Sequence, residues 1–139
     1  MTPLNTVVRA CSLGILVTVF GCGLISPTIP NIYLTETDSG STVAVAVEGR
    51  VIVTLASNAT TGYQWQLVDL NQSILANTNQ QYLSPVSSAI GAGGQERWEF
   101  TARAEGTTRL RLEYRGPDGS PAADPNDIFQ ITANVTAAP

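Results

Sequence analysis

The chain contains no histidine and no lysine, and only two cysteines, in 139 residues. Without histidine, no Ser-His or Cys-His nucleophile pair can form, and no His-ligated metal site can be built. The general acid/base most used near neutral pH is absent as well. Both cysteines, Cys11 and Cys22, fall in an apolar N-terminal stretch. The rest of the chain therefore has neither a disulfide framework nor a thiolate nucleophile. All seven basic residues are arginine, none forms a cluster, and the net charge is −4, so no nucleic-acid partner is expected. Charged residues make up only 13%, against 43% hydrophobic, which supplies a core and argues against disorder. Glu96 and Glu99 are possible carboxylates, but no electrophile, nucleophile or metal cluster accompanies them. Neither enzymatic activity nor a cofactor is expected.

What is present divides into a leader and a domain. From Ala10 to Ile25 the chain is apolar, shorter than the ~20 residues that span a bilayer and suited to an export signal. Within it, Val19-Phe20-Gly21-Cys22 resembles a bacterial lipobox. That resemblance implies a signal peptide over 1–21 and lipidation of Cys22, with export to the cell envelope and membrane attachment through a lipid anchor. A secretory signal cut elsewhere and an uncleaved anchor are the alternatives. Residues 22–41, with Pro27, Pro30 and a polar run from Thr35 to Thr42, form the expected linker.

From residue 42 onward the chain alternates with period two. Val43, Val45 and Val47 share one phase, then Val51, Val53 and Leu55, then Tyr63, Trp65 and Leu67. Trp98, Phe100 and Ala102 follow, then Leu110, Leu112 and Tyr114, then Phe129, Ile131, Ala133 and Val135. Arg97, Glu99, Arg109, Arg111, Glu113 and Gln130 hold the outward phase. Ile74 to Leu83 is a weaker, polar and irregular strand candidate. Seven to eight short strands without a helical period predict an all-β fold, an immunoglobulin-like antiparallel β-sandwich over 42–136. Trp65 and Trp98 are the predicted core anchors.

With strands counted from Arg50, the connections after the first, third and fifth gather at one end of such a sandwich. They read "SNATTGY", "SSAIGAGGQE" and "YRGPDGSPAADPND". The turns at Glu48-Gly49 and Glu105-Gly106, at the other end, are short. Binding residues concentrate on loops carried by a rigid scaffold. Asp118, Asp124 and Asp127, set among Gly and Pro, are assigned to turns rather than to a Ca²⁺ site.

At this point the sequence resembles the chagasin family of cysteine-protease inhibitors, small immunoglobulin-like domains. Asn58-Ala59-Thr60-Thr61-Gly62-Tyr63-Gln64-Trp65 is similar to the family's first motif, Asn-Pro-Thr-Thr-Gly, aromatic, x, Trp. Gly91-Ala92-Gly93-Gly94 is similar to the second, Gly-x-Gly-Gly. The third, Arg-Pro-Trp, is kept only as Arg115-Gly116-Pro117-Asp118, with its tryptophan missing. Tryptophan is a frequent interface hot spot, so the third loop lacks one strong contact.

The resemblance implies a reversible inhibitor of papain-like cysteine proteases, monomeric, that blocks the active-site cleft with three loops. Asn58, Thr60, Thr61, Gly62 and Tyr63, with Gly91, Gly93, Gly94 and Arg115, are the implied protease-binding residues. Thr60 and Thr61 are stiff at χ1 and carry hydroxyls for the catalytic thiolate–imidazolium pair. Gly62 permits a positive φ, and Asn58 can brace the loop. The competing reading is an immunoglobulin-like envelope module that binds another protein or a glycan.

Overall fold

The computed structural model describes residues 27–139, so the expected signal peptide over 1–21 and the expected lipidation site at Cys22 lie outside the described residues. Eight strands make the domain: β1 Ile32–Leu34, β2 Thr42–Ala46, β3 Arg50–Ser57, β4 Gln64–Asp69, β5 Leu75–Leu83, β6 Gly94–Ala102, β7 Gly106–Arg115 and β8 Ile128–Thr136. Among the described residues three 3-10 turns accompany them, at Glu36–Asp38, Ala59–Thr61 and Pro125–Asp127. The strands form two four-stranded sheets in the orders β1-β3-β6-β5 and β2-β8-β7-β4.

The alternation in the sequence becomes the two faces of each sheet. In β6, Gly94, Glu96, Trp98, Phe100 and Ala102 are buried, while Gln95 is exposed and Arg97, Glu99 and Thr101 are half-buried. In β8, Phe129, Ile131, Ala133 and Val135 are buried in the same way. The two inner faces meet in one core, where Leu55, Phe100, Leu110, Leu112 and Phe129 are almost fully enclosed. Each such side chain contributes about 1.5–3 kcal/mol through removal from water. Trp65 and Trp98, the predicted anchors, are both 4% exposed. β5 pairs with β6 through a bulge at Asn77/Asn79, matching its weak and irregular sequence pattern.

The expected sandwich is present, with one difference in strand direction. β1 runs parallel to β3, and β2 runs parallel to β8; the remaining pairs are antiparallel. The cause is the N-terminal segment, which reverses at 35–41 and again at 47–49 and changes sheet each time. Two reversals leave β1 pointing the same way as β3. Alternation records which face a residue takes and carries no information on the direction of its neighbour.

The domain also starts before residue 42. Leu34 joins the core cluster. The Ala56 N–H donates to the Glu36 carboxylate, and the Ser39 hydroxyl donates to the Ile128 carbonyl at 3.3 Å. Part of the segment assigned to the linker is thus an edge strand and its turn. A strand of three residues is too short to show a period.

Candidate functional site

The connections β3–β4, β5–β6 and β7–β8 lie at one end, because Ser57 is opposite Gly94, Leu83 opposite Gln95, and Gln64 opposite Arg115. The first of them is built around Asn58. Its side-chain oxygen accepts from the Thr60 N–H at 3.1 Å and from the Thr60 hydroxyl at 2.6 Å. This caps the 3-10 turn Ala59–Thr61, as Asn does at helix starts. The Thr61 hydroxyl donates back to the Asn58 carbonyl at 2.7 Å and accepts from the Tyr63 N–H at 3.3 Å. Gly62 closes the turn at φ 78°, in the left-handed region that favours glycine. Thr60 and Thr61 are exposed at the tip. Both hydroxyl protons are engaged inside the loop, so neither hydroxyl is free to donate outward. Toward solvent each hydroxyl is thus left as an acceptor.

Tyr114 joins this loop to the core and to the third loop. Its hydroxyl accepts from the Asn58 N–H at 2.9 Å. Its ring lies between Trp65 and Tyr63, with centroid separations of 5.3 and 5.5 Å. Such aromatic contacts add about 0.5–1.5 kcal/mol each beyond burial. Trp65 ends the ladder in the core, and its Nε1–H donates to the Ala56 carbonyl at 2.9 Å. Tyr63, placed in the inward phase by the alternation, is 44% exposed. It lies ahead of β4, and a Cβ at Gly116 would stand 3.2 Å from its ring. Pro117 in turn packs over Gly62: a side chain there would stand 3.6 Å from the proline ring.

The second loop, 84–93, reaches the first through Asn58 Nδ2, which donates to the Gly91 carbonyl at 3.5 Å. Its three motif glycines have three different reasons. Gly91 adopts φ 81° in open space. Gly93 has free surroundings apart from the Ser57 carbonyl, which leaves its backbone accessible. Gly94 is buried, and a Cβ there would collide with the Leu83 carbonyl and the Tyr82 ring. Gly94 is therefore a packing residue at the root of the loop. Val86 and Ile90, 108% and 106% exposed, project from this loop and were not singled out by any motif.

At the root of the third loop, Arg115, the last residue of β7, is not free. Its Nε and Nη2 donate to Glu113 Oε2 at 3.1 and 2.8 Å, and Nη1 reaches the Gly119 carbonyl at 3.4 Å. Arg111 holds the other carboxylate oxygen, with Nε and Nη2 both at 2.8 Å. Glu113, on the outward phase, is thus buried between two guanidiniums. Hydrogen bonding to Arg115, helped by Arg111, holds its carboxyl below the usual range against the upward push of burial. Arg115 supports the loop from below. Asp118 and Asp124 do what turn formers do: the first accepts from the Ser120 N–H and hydroxyl, the second caps Pro125–Asp127 through the Asn126 N–H at 2.8 Å. The Ser120 hydroxyl also holds the Asp118 carboxyl below its ordinary value.

Under all of this lies a residue that no motif identified. Glu96 is 5% exposed and points inward from β6. One oxygen accepts from the Ser57 hydroxyl at 2.7 Å and from the Trp65 N–H at 3.0 Å. The other faces Gln80 Nε2 at 3.4 Å. It forms part of the lining of a cavity of about 300 Å³ with Ser57, Gly62, Tyr63, Gln80 and Tyr82. Its signal was present in the sequence, since it shares the phase of Trp98 and Phe100.

A family model described as "Chagasin family peptidase inhibitor I42" matches residues 44–133. The sequence is 35% identical over 96 residues to chagasin of Trypanosoma cruzi, covering 66% of this chain and 86% of that protein. The fold is similar to that of a cysteine protease inhibitor from Entamoeba histolytica, with a TM-score of 0.70 at 17% identity, covering 79% of this chain and 99% of that one. It is also similar to amebosin, with a TM-score of 0.63 at 28% identity, covering 77% and 99% of the two chains. The match to the family model spans the sandwich from β2 to β8, including all three loops, and on that ground the chain belongs to the chagasin family of peptidase inhibitors.

Proposed function

We propose that the domain is a reversible inhibitor of papain-like cysteine proteases, which it blocks by filling the active-site cleft with the loops at 58–63, 84–93 and 116–127. The observation that carries this reading is the convergence of the three loops at one end around an exposed Thr60–Thr61 tip. That tip is fixed from within by Asn58 and Tyr114. A tip held this way loses little conformational freedom on docking. It presents no extended segment in cleavable register, because the chain turns at Ala59–Thr61 and again at Gly62. Asn58, Thr60, Thr61, Gly62 and Tyr63 form the central contact in this reading. Gly91 and Gly93 offer backbone beside it, and Gly94 and Arg115 act as supports. The domain works by occupancy rather than turnover.

Titration of the purified domain against papain, followed by recovery of activity on dilution, tests the proposal. Reversible inhibition that is lost when Thr60 and Thr61 become arginine is the expected result. No inhibition at micromolar concentration would leave the module to a different protein or glycan partner.

The leader supports a second element of the reading, attachment of the domain to a membrane through a lipid on Cys22. Each buried acyl CH₂ group would contribute about 0.8 kcal/mol to anchoring. Metabolic labelling with a palmitate analogue should mark the wild-type chain and not Cys22→Ala.

A further inference from the structure

The first loop has a mechanical difficulty. It leaves the sheet β1-β3-β6-β5 at Ser57 and enters the other sheet at Trp65. β3 and β4 share no ladder, so no backbone–backbone hydrogen bond between them sets the distance separating the two roots of the loop; the Trp65 indole N–H on the Ala56 carbonyl, at 2.9 Å, is a side-chain tie across the same gap. Glu96 occupies that gap. A single carboxylate oxygen receives the Ser57 hydroxyl from the end of β3 and the Trp65 N–H from the start of β4. All three residues are buried, and the second oxygen extends the contact to Gln80 of β5.

The choice of side chain is informative. The neighbouring inward positions of β6 are Trp98 and Phe100, and an apolar residue at 96 would follow the pattern. Burying a carboxylate in a sandwich is unfavourable unless its hydrogen bonds are met. Here they are met by the donors that bound the loop. We propose that Glu96 is the positioning residue of the inhibitory loop: it fixes the span between the roots at Ser57 and Trp65, and tight inhibition depends on it although it touches no partner. This rests on the inhibitor reading above. Preorganisation lowers the ordering cost of docking, so releasing the roots weakens inhibition without removing any contact atom.

Three variants test the assignment. Glu96→Gln keeps a carbonyl oxygen able to accept from both Ser57 and Trp65, and its inhibition constant should stay within about threefold of wild type. Glu96→Leu keeps the volume and removes the acceptor, and inhibition should weaken by at least about tenfold. Ser57→Ala removes one donor with little risk to folding and should fall between the two. Ile131→Val, a core change in β8, serves as the control for general loss of stability; it should lower the melting temperature and leave inhibition unchanged. Amide hydrogen exchange gives a readout independent of any protease. The Trp65 and Thr61 amides should exchange faster in Glu96→Leu and not in Ile131→Val. Inhibition by folded Glu96→Leu, or by Ser57→Ala should the former not fold, at wild-type strength overturns the proposal. So does an equal loss in Ile131→Val. If the wild-type domain inhibits no protease, the inhibitor reading fails alone, and unchanged exchange at Trp65 would still refute the positioning role.

Discussion

The Arg115 guanidinium closes on the Glu113 carboxylate through Nε and Nη2, at 3.1 and 2.8 Å, on the outer face of β7. Arg111 completes the cluster from the other side. Glu113 is held ionised to lower pH than in the unfolded chain, where a glutamate titrates near about 4.3. Its contribution to stability is therefore complete above that value and is lost as pH falls through the lower folded value. Glu113→Gln should cost about 1–3 kcal/mol at pH 7, and the gap from wild type should narrow below about pH 4. Denaturant unfolding at both pH values measures this. A gap that stays constant would assign the stability to something other than the charge.

Asn58 organises the first loop through its side-chain oxygen, so the variants Asn58→Ala and Asn58→Asp should separate. Alanine removes the acceptor for the Thr60 N–H and hydroxyl, and should cost about 1 kcal/mol of stability, the usual effect of a lost cap. Inhibition should weaken by about tenfold, because the tip then has to be ordered on docking. Aspartate keeps the acceptor and loses only the long Nδ2–H bond to the Gly91 carbonyl, so it should stay closer to wild type than alanine in thermal unfolding. Equal effects from the two substitutions would show that the cap does not shape the loop.

Glycine positions of similar appearance should respond differently to alanine. Gly62→Ala has room under Pro117 but adopts φ 78°, and should cost about 1–2 kcal/mol. Gly94→Ala has no room against Leu83 and Tyr82, and should be the more destabilising change, with β6 forced away from β5. Gly93→Ala has space and an ordinary φ, and should leave thermal stability unaltered. Melting temperatures in any other order contradict these local accounts.

Val86 and Ile90 touch almost nothing within the domain. The double substitution to serine should change stability by less than about 0.5 kcal/mol. If the second loop docks, inhibition should weaken by about tenfold, because exposed apolar side chains act as anchors once a partner desolvates them. Inhibition constants unchanged from wild type would remove both residues from the interface.

The sandwich was legible in the sequence because burial on one face imposes period two, and Trp98-x-Phe100-x-Ala102 or Phe129-x-Ile131-x-Ala133 can satisfy it in one way only. The tip at Asn58–Gly62 was legible because turn chemistry is local. What escaped is non-local. β1 gains its place from pairing with β3, which three residues cannot announce. Glu96 and Glu113 are both buried charges, which the alternation treats as an exception and as a surface residue respectively. Each is explained by partners that the fold brings in: Ser57 and Trp65 for the first, two arginines for the second. Arg115, read from the sequence as a contact residue of the third loop, is the last residue of β7, and its engagement with Glu113 follows from the side-chain spacing of one strand face.

The parallel pairing of β1 with β3 has a geometric corollary. β3 runs toward the three loops, so β1 does too, and its first residue starts from the far end; Ile29 lies against the position a side chain at Gly49 would take, in the turn between β2 and β3. β8 runs the other way, from the third loop back to that same far end. Both ends of the described chain thus leave the domain from its blunt pole. Whatever is attached there, whether a leash to a surface, a bead or a fusion partner, leaves the tip facing away and unobstructed.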